Sequence, residues 1–177
     1  MRLSWMVAAL AMGASAAASA ELKSTPALGT AEGRCRPGEA GPAFLVNLVG
    51  LKDRAGTAKV ELYPANEADW LADDNKLISA GKPFRRVREN VAASGPVVLC
   101  IRAPAPGVWA LAVLHDRDRS GNFSASKDGV GFPGNPARLG PRKPALAIGR
   151  ATVGPRPTPI NVRLLYRSGL ISFAPLS

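Results

Sequence analysis

The chain has 177 residues, with 23 Lys and Arg against 13 Asp and Glu and a formal net charge of +10. That length suits one ordinary domain, and no apolar run in it is long enough to span a membrane. A basic excess of this size bears on partners and solubility rather than on fold.

Residues 1–20 begin with a single base, Arg2, pass through an apolar run containing Trp5, Val7 and Leu10, and end in Ala18-Ser19-Ala20. This is the pattern of a cleaved secretory signal peptide with its cut between Ala20 and Glu21, and it places the product in the periplasm or outside the cell. Removing it leaves 22 bases against 13 acids, a charge of +9. An exported chain seldom meets nucleic acid, so the expected anionic neighbours are acidic envelope polymers and lipid head groups. Cys35 and Cys100 are the two cysteines. In an oxidising compartment an isolated pair reads as a disulfide.

Residues 21–42 are rich in Gly, Pro and charge, lack periodicity and read as an N-terminal tether. The domain proper is expected over residues 43–177. It opens with alternating runs at Ala43–Leu51 and Thr57–Tyr63, joined by a Gly-containing loop in the manner of a hairpin. Between Pro64 and Asn75 a short helix is expected, capped by Asn66 and carrying Trp70 and Leu71. Phe84–Val91 is strand-like and basic. Alternation puts Arg86 and Arg88 on one face and Arg85 on the other, a solvated edge that could also bind anions. Val97–Arg102 is a further strand.

The run from Val108 to Leu114 is apolar on both faces and reads as a central strand. It leads directly into His115-Asp116-Arg-Asp118-Arg-Ser120-Gly121-Asn122. Lys127–Pro144 shows no periodicity, Leu146–Val153 and Ile160–Tyr166 read as the last strands, and Gly154–Pro159 is a rigid break. About seven short strands and one helical insert describe an all-β fold, with an antiparallel sandwich of immunoglobulin-like or transthyretin-like form as the expected architecture.

Oxygen ligands at alternate positions followed by a glycine are how a short loop wraps a hard cation. Asp116, Asp118, Ser120, Asn122 and Asp128 are therefore the candidate ligands for calcium. Position nine of the loop is Ser124 and position twelve is Lys127, where a high-affinity loop places a bidentate Glu. Any Ca²⁺ affinity is then expected to be weak, on the order of 10⁻⁴–10⁻³ M. The alternative is a turn that satisfies its own backbone. His115, the only histidine, falls on the Trp109/Leu111/Val113 face and reads as a core-rim residue. No catalytic residue is assigned. The competing reading is a metal-dependent hydrolase using His115 with Asp116, Asp118 or Asp128, and it requires His115 to be exposed in a cleft. Gly129-Val-Gly131-Phe-Pro-Gly134 matches a dinucleotide fingerprint only formally, because its prolines forbid the helix that motif opens.

The segments GLKDRAGTAKVELY, PGVWALAVLHDRDRSGNF, DGVGF and INVRLLY together resemble the bacterial exported family catalogued as domain of unknown function 2141. The resemblance rests on the His115-Asp116-x-Asp118-x-Ser120-Gly121 core and on Gly131-Phe132, and it covers roughly Ala43 to Tyr166. Members usually carry Asp where this chain has Ser124. The resemblance implies a small exported β-sandwich and assigns no known activity. The expected function is thus a non-enzymatic binding or envelope-accessory module, whose long loop after Asp116 is its functional edge.

Overall fold

A computed structural model describes residues 27–176. The expected signal peptide and the first residues of the expected tether lie outside that range. The described residues contain nine strands and three short helices. The strands are β1 (Ala43–Val49), β2 (Thr57–Pro64), β3 (Arg85–Asn90), β4 (Val97–Arg102) and β5 (Gly107–Asp116), then β6 (Gly129–Gly131), β7 (Arg150–Val153), β8 (Thr158–Arg167) and β9 (Phe173–Ala174). The helices are α1 (Thr30–Gly33), α2 (Asp74–Ser79) and α3 (Leu146–Gly149).

The fold is mostly β, and its arrangement is a nearly closed, barrel-like mixed sheet rather than an antiparallel sandwich. Hydrogen-bonded neighbours run β3-β2-β5-β6-β8-β1-β4, with β7 paired to β5 and β9 to β8. β1 and β8 run parallel, with Val46 opposite Ile160, and all other ladders are antiparallel. β3 and β4, the two ends of the order, lie against each other and against α1. The Gly29 carbonyl accepts from the Arg86 amide, Arg34 bridges to Ile101, and Cys35 is bonded to Cys100. Residues 27–41 thus cover the seam of the barrel. Closing a 65-residue loop there contributes about 4 kcal/mol on the chain-entropy account.

Alternation along the strands produces two apolar layers. Inward residues such as Phe44, Val46, Val60, Leu62, Leu99, Ile101, Leu111, Val113, Val162 and Leu164 fill the barrel. On the outer face of β2 and β5, Tyr63 and Ala110 pack with Trp70, Leu77, Phe84, Phe132 and Leu146. This second layer explains why β5 is apolar on both faces. Trp70 stands edge-on to Tyr63 and Phe132, and its Nε1–H donates to the Pro144 carbonyl at 2.8 Å.

Three local expectations are corrected. The β1–β2 hairpin does not form, because β1 sits between β4 and β8 while β2 sits between β3 and β5. The helix lies downstream of Trp70: Leu71 takes φ 51°, which breaks a helix, and Asp73 caps α2 by accepting from the Lys76 amide. The run Leu146–Val153 is a strand only from Arg150, since its first four residues form α3 beneath Trp70.

Candidate functional site

β5 carries Leu111 and Val113 into the barrel, and the same alternation carries His115 inward. His115 is fully buried. Its Nε2 lies 2.8 Å from the Ala55 carbonyl and its Nδ1 lies 2.7 Å from the Tyr166 hydroxyl. The carbonyl can only accept, so the ring carries hydrogen on Nε2. The Lys52 amide donates to the same hydroxyl at 3.0 Å, so Tyr166 turns its own hydrogen toward Nδ1. Both ring nitrogens are committed to the protein, which leaves none for proton transfer or for a metal.

The four segments that carry the family resemblance meet at this point. The loop between β1 and β2 supplies Lys52 and Ala55, and Gly56 of the same loop lies so close to the Asp116 carbonyl that a side chain would collide with it. Gly129 leaves room for the Tyr166 ring, and Gly131 leaves room for Val162. Arg117 pairs with Asp53, whose carboxyl it holds below the usual range.

Beyond Asp116 the loop turns back on itself. Asp116, buried, accepts from the Ser120 amide at 3.0 Å and the Gly121 amide at 2.8 Å. Asp128, also buried, accepts from the Arg117 and Ser124 amides at 2.9 and 2.7 Å. Asp118 is exposed; the Lys127 ammonium 2.8 Å away and the Ser120 hydrogen bond hold its carboxyl at about 2. Ser120 Oγ donates to the Asn122 carbonyl at 3.0 Å. Asp116, Asp118 and Asp128 each have an oxygen within 4.8 Å of the others, so three of the five expected ligands come together. Ser120 and Asn122 spend their oxygens on each other, and Lys127 places a cation against the cluster. The donor set fits a weak cation at best, because its carboxylates face backbone N–H groups.

The basic strand divides as alternation predicts. Arg85 lies near Arg102, Glu32 and Glu39; burial and the Arg102 charge draw its guanidinium below the usual range. Arg86 and Arg88 share the outer face. Arg86 pairs with Glu61 at 2.7 Å and with Asp74 at 3.0 Å, and Lys59 pairs with Glu61 at 3.0 Å. Burial pushes the Glu61 carboxyl up, but Lys59 and Arg86 outweigh it and the net shift is downward. Arg88 makes one long bond, 3.5 Å to the Gly121 carbonyl, and no ion pair among the described residues.

One concave feature leaves little trace in the sequence. A groove of about 510 Å³ opens on the outer face of β5 and β6, floored by Ala112, Leu114, Val130 and Phe132. The acidic loop contributes Phe123 and the chain beyond β8 contributes Leu170, Ile171 and Phe173, with Leu139 on another side. Phe123 and Phe173 stand with ring centroids 5.8 Å apart. Phe123 is 51% exposed, Ile171 66% and Leu170 87%. The signal for it in sequence is slight: one Phe in a polar loop and the apolar tail Gly169-Leu-Ile-Ser-Phe173. A polar trough of about 450 Å³ adjoins the groove and shares Lys59, Glu61 and Phe123 with it.

A family model described as "Uncharacterized protein conserved in bacteria (DUF2141)" matches residues 46–161. No curated protein and no solved structure matches the chain.

Proposed function

We propose, from the premise that this chain belongs to the bacterial family DUF2141, that it is an exported, non-enzymatic binding module that holds an apolar ligand in the outer-face groove. The groove itself carries this reading. Its volume lies within the range of small-molecule sites, and its lining is mainly aliphatic and aromatic with a few charged groups at the margin. Exposed Phe123, Leu170 and Ile171 beside it form the kind of apolar cluster that marks an interaction surface. The Cys35–Cys100 disulfide and the signal-peptide pattern in the sequence of residues 1–20 support a periplasmic location. The engagement of both His115 nitrogens argues against the hydrolase alternative and makes the His-Asp loop a clamp that positions Phe123.

Titration with a naphthylamine-type fluorophore tests the reading. Saturable, blue-shifted emission is expected, with clear weakening in Phe123→Asp/Ile171→Asp, whose exposed sites leave the circular dichroism spectrum unchanged. Absent saturation, or saturation indifferent to those changes, would remove the groove as a ligand site.

A second reading, a weak Ca²⁺ site in the 116–128 loop, has the proximity of Asp116, Asp118 and Asp128 in its favour. It requires Lys127 to leave Asp118.

A further inference from the structure

We infer that the occupant of the groove is a single-chain amphiphile with an anionic head, lying across the strands with its chain over Leu114 and Val130 and its head at Arg88. This rests on the reading of the groove as a ligand site.

The ladder registers supply the argument. Arg88 of β3 is opposite Lys59 of β2, Lys59 is opposite Leu114 of β5, and Leu114 is opposite Val130 of β6. These four side chains form one row on the outer face, perpendicular to the strands. The next row runs Arg86, Glu61, Ala112. Along each row the surface passes from charged to apolar within three strand spacings, about 14 Å. The polar trough and the apolar groove are the two halves of that surface, and Phe123 stands where they join.

Charge selects the head group. The trough holds Lys59, Arg86 and Arg88 against Glu61, Asp73 and Asp74. Glu61 is taken by Lys59 and Arg86, Asp74 by Arg86, and Asp73 by the α2 cap. Arg88 is the trough's cation without a carboxylate among the described residues, and its planar fork suits a phosphate or carboxylate head. A cationic head would meet Arg88 and Lys59 directly, and a neutral head would leave Arg88 unmatched.

The test displaces the fluorophore from the purified protein with dodecyl phosphate, dodecanol and dodecyltrimethylammonium, each below its micellar concentration, with inorganic phosphate as a fourth arm. Dodecyl phosphate is expected to compete about tenfold better than dodecanol, as one charge-assisted hydrogen bond would provide, and the cationic chain worst. Arg88→Ala should abolish that preference while leaving dodecanol competition in place. Equal competition by the three chains or displacement by phosphate alone would overturn the inference and leave the groove reading standing. So would loss of preference in a variant of Arg142, which lines the apolar groove (Arg142→Ala), instead of in Arg88→Ala. Binding to anionic vesicles without competition by the monomeric chain would also overturn it. A fluorophore that never binds would sink the groove reading itself.

Discussion

His115 Nδ1 and the Tyr166 hydroxyl, 51 residues apart in sequence, lie 2.7 Å apart inside the barrel and join β5 to β8 across the short strand β6. The Lys52 amide at one end and the Ala55 carbonyl at the other set the direction of the hydrogen bonds that run through Tyr166 and His115.

Tyr166→Phe keeps the ring and removes the hydroxyl, leaving His115 Nδ1 and the Lys52 amide without that partner. A loss of about 1–3 kcal/mol is expected in urea unfolding. His115→Leu should cost a similar amount, and the double variant less than the two singles together, because the pair acts as one network. Strict additivity in the double-mutant cycle would show that the contact is incidental.

Gly129→Ala places a methyl group against the Tyr166 ring, and the strand cannot retreat because Gly131 packs closely on Val162. About 1–3 kcal/mol of destabilisation is expected from overpacking. Gly154→Ala, with open space around it, should stay within about 0.5 kcal/mol. Thermal melts of the two variants side by side provide the comparison.

Lys127 stands at the twelfth place of the acidic loop, with its ammonium on Asp118. Millimolar Ca²⁺ should leave the melting temperature of the natural chain unchanged. Lys127→Glu removes the competing cation and adds a carboxylate, so 10 mM Ca²⁺ should stabilise it by about 1.4 kcal/mol for a Kd near 1 mM. A calcium-dependent rise in the natural chain, lost in Asp118→Ala, would instead establish the cation reading.

Burial pushes the Tyr166 phenol up to about 12, and burial with the nearby Glu61 charge pushes Tyr63 well above its ordinary value. Both groups hold their protons longer folded than unfolded. Their contribution is therefore complete below pH 10 and is lost as pH rises above it, for Tyr166 through about 12. Urea midpoints measured at pH 9, 10, 11 and 12 should decline over that window, and less steeply in Tyr166→Phe. A flat profile would contradict the burial of these phenols.

Local chemistry made much of this protein legible in the linear chain. Alternation located six strands to within a few residues and carried His115 to the buried face, because side-chain direction in a strand depends only on parity. The same rule separated Arg85 from Arg86 and Arg88. Two cysteines without a metal-binding pattern read as a disulfide, and they form one. The spacing of Asp116, Asp118 and Gly121 announced a tight turn, whose amides the carboxylates accept from. Pairing was beyond reach. β1 alternates as well as a hairpin strand does, but its partners are β4 and β8, and nothing in residues 43–63 encodes strands that lie 50 to 120 residues away.

The short elements were hidden for a different reason. β6 is three residues long and contains two glycines, so it has no period to read, and it forms only because β5 and β8 flank it. The groove is a consequence of the same closure. Arg88, Lys59, Leu114 and Val130 belong to four strands and are unremarkable apart; hydrogen-bond register alone aligns them into a row that runs from charge to hydrocarbon. The residues by themselves determined which side chains turn inward, where the chain bends and how it is cross-linked, since those depend on neighbours a few bonds away. The strand order, the seam under α1 and the outer-face groove were decided by the tertiary structure, because they arise from contacts whose spacing in sequence has no bearing on their distance in space.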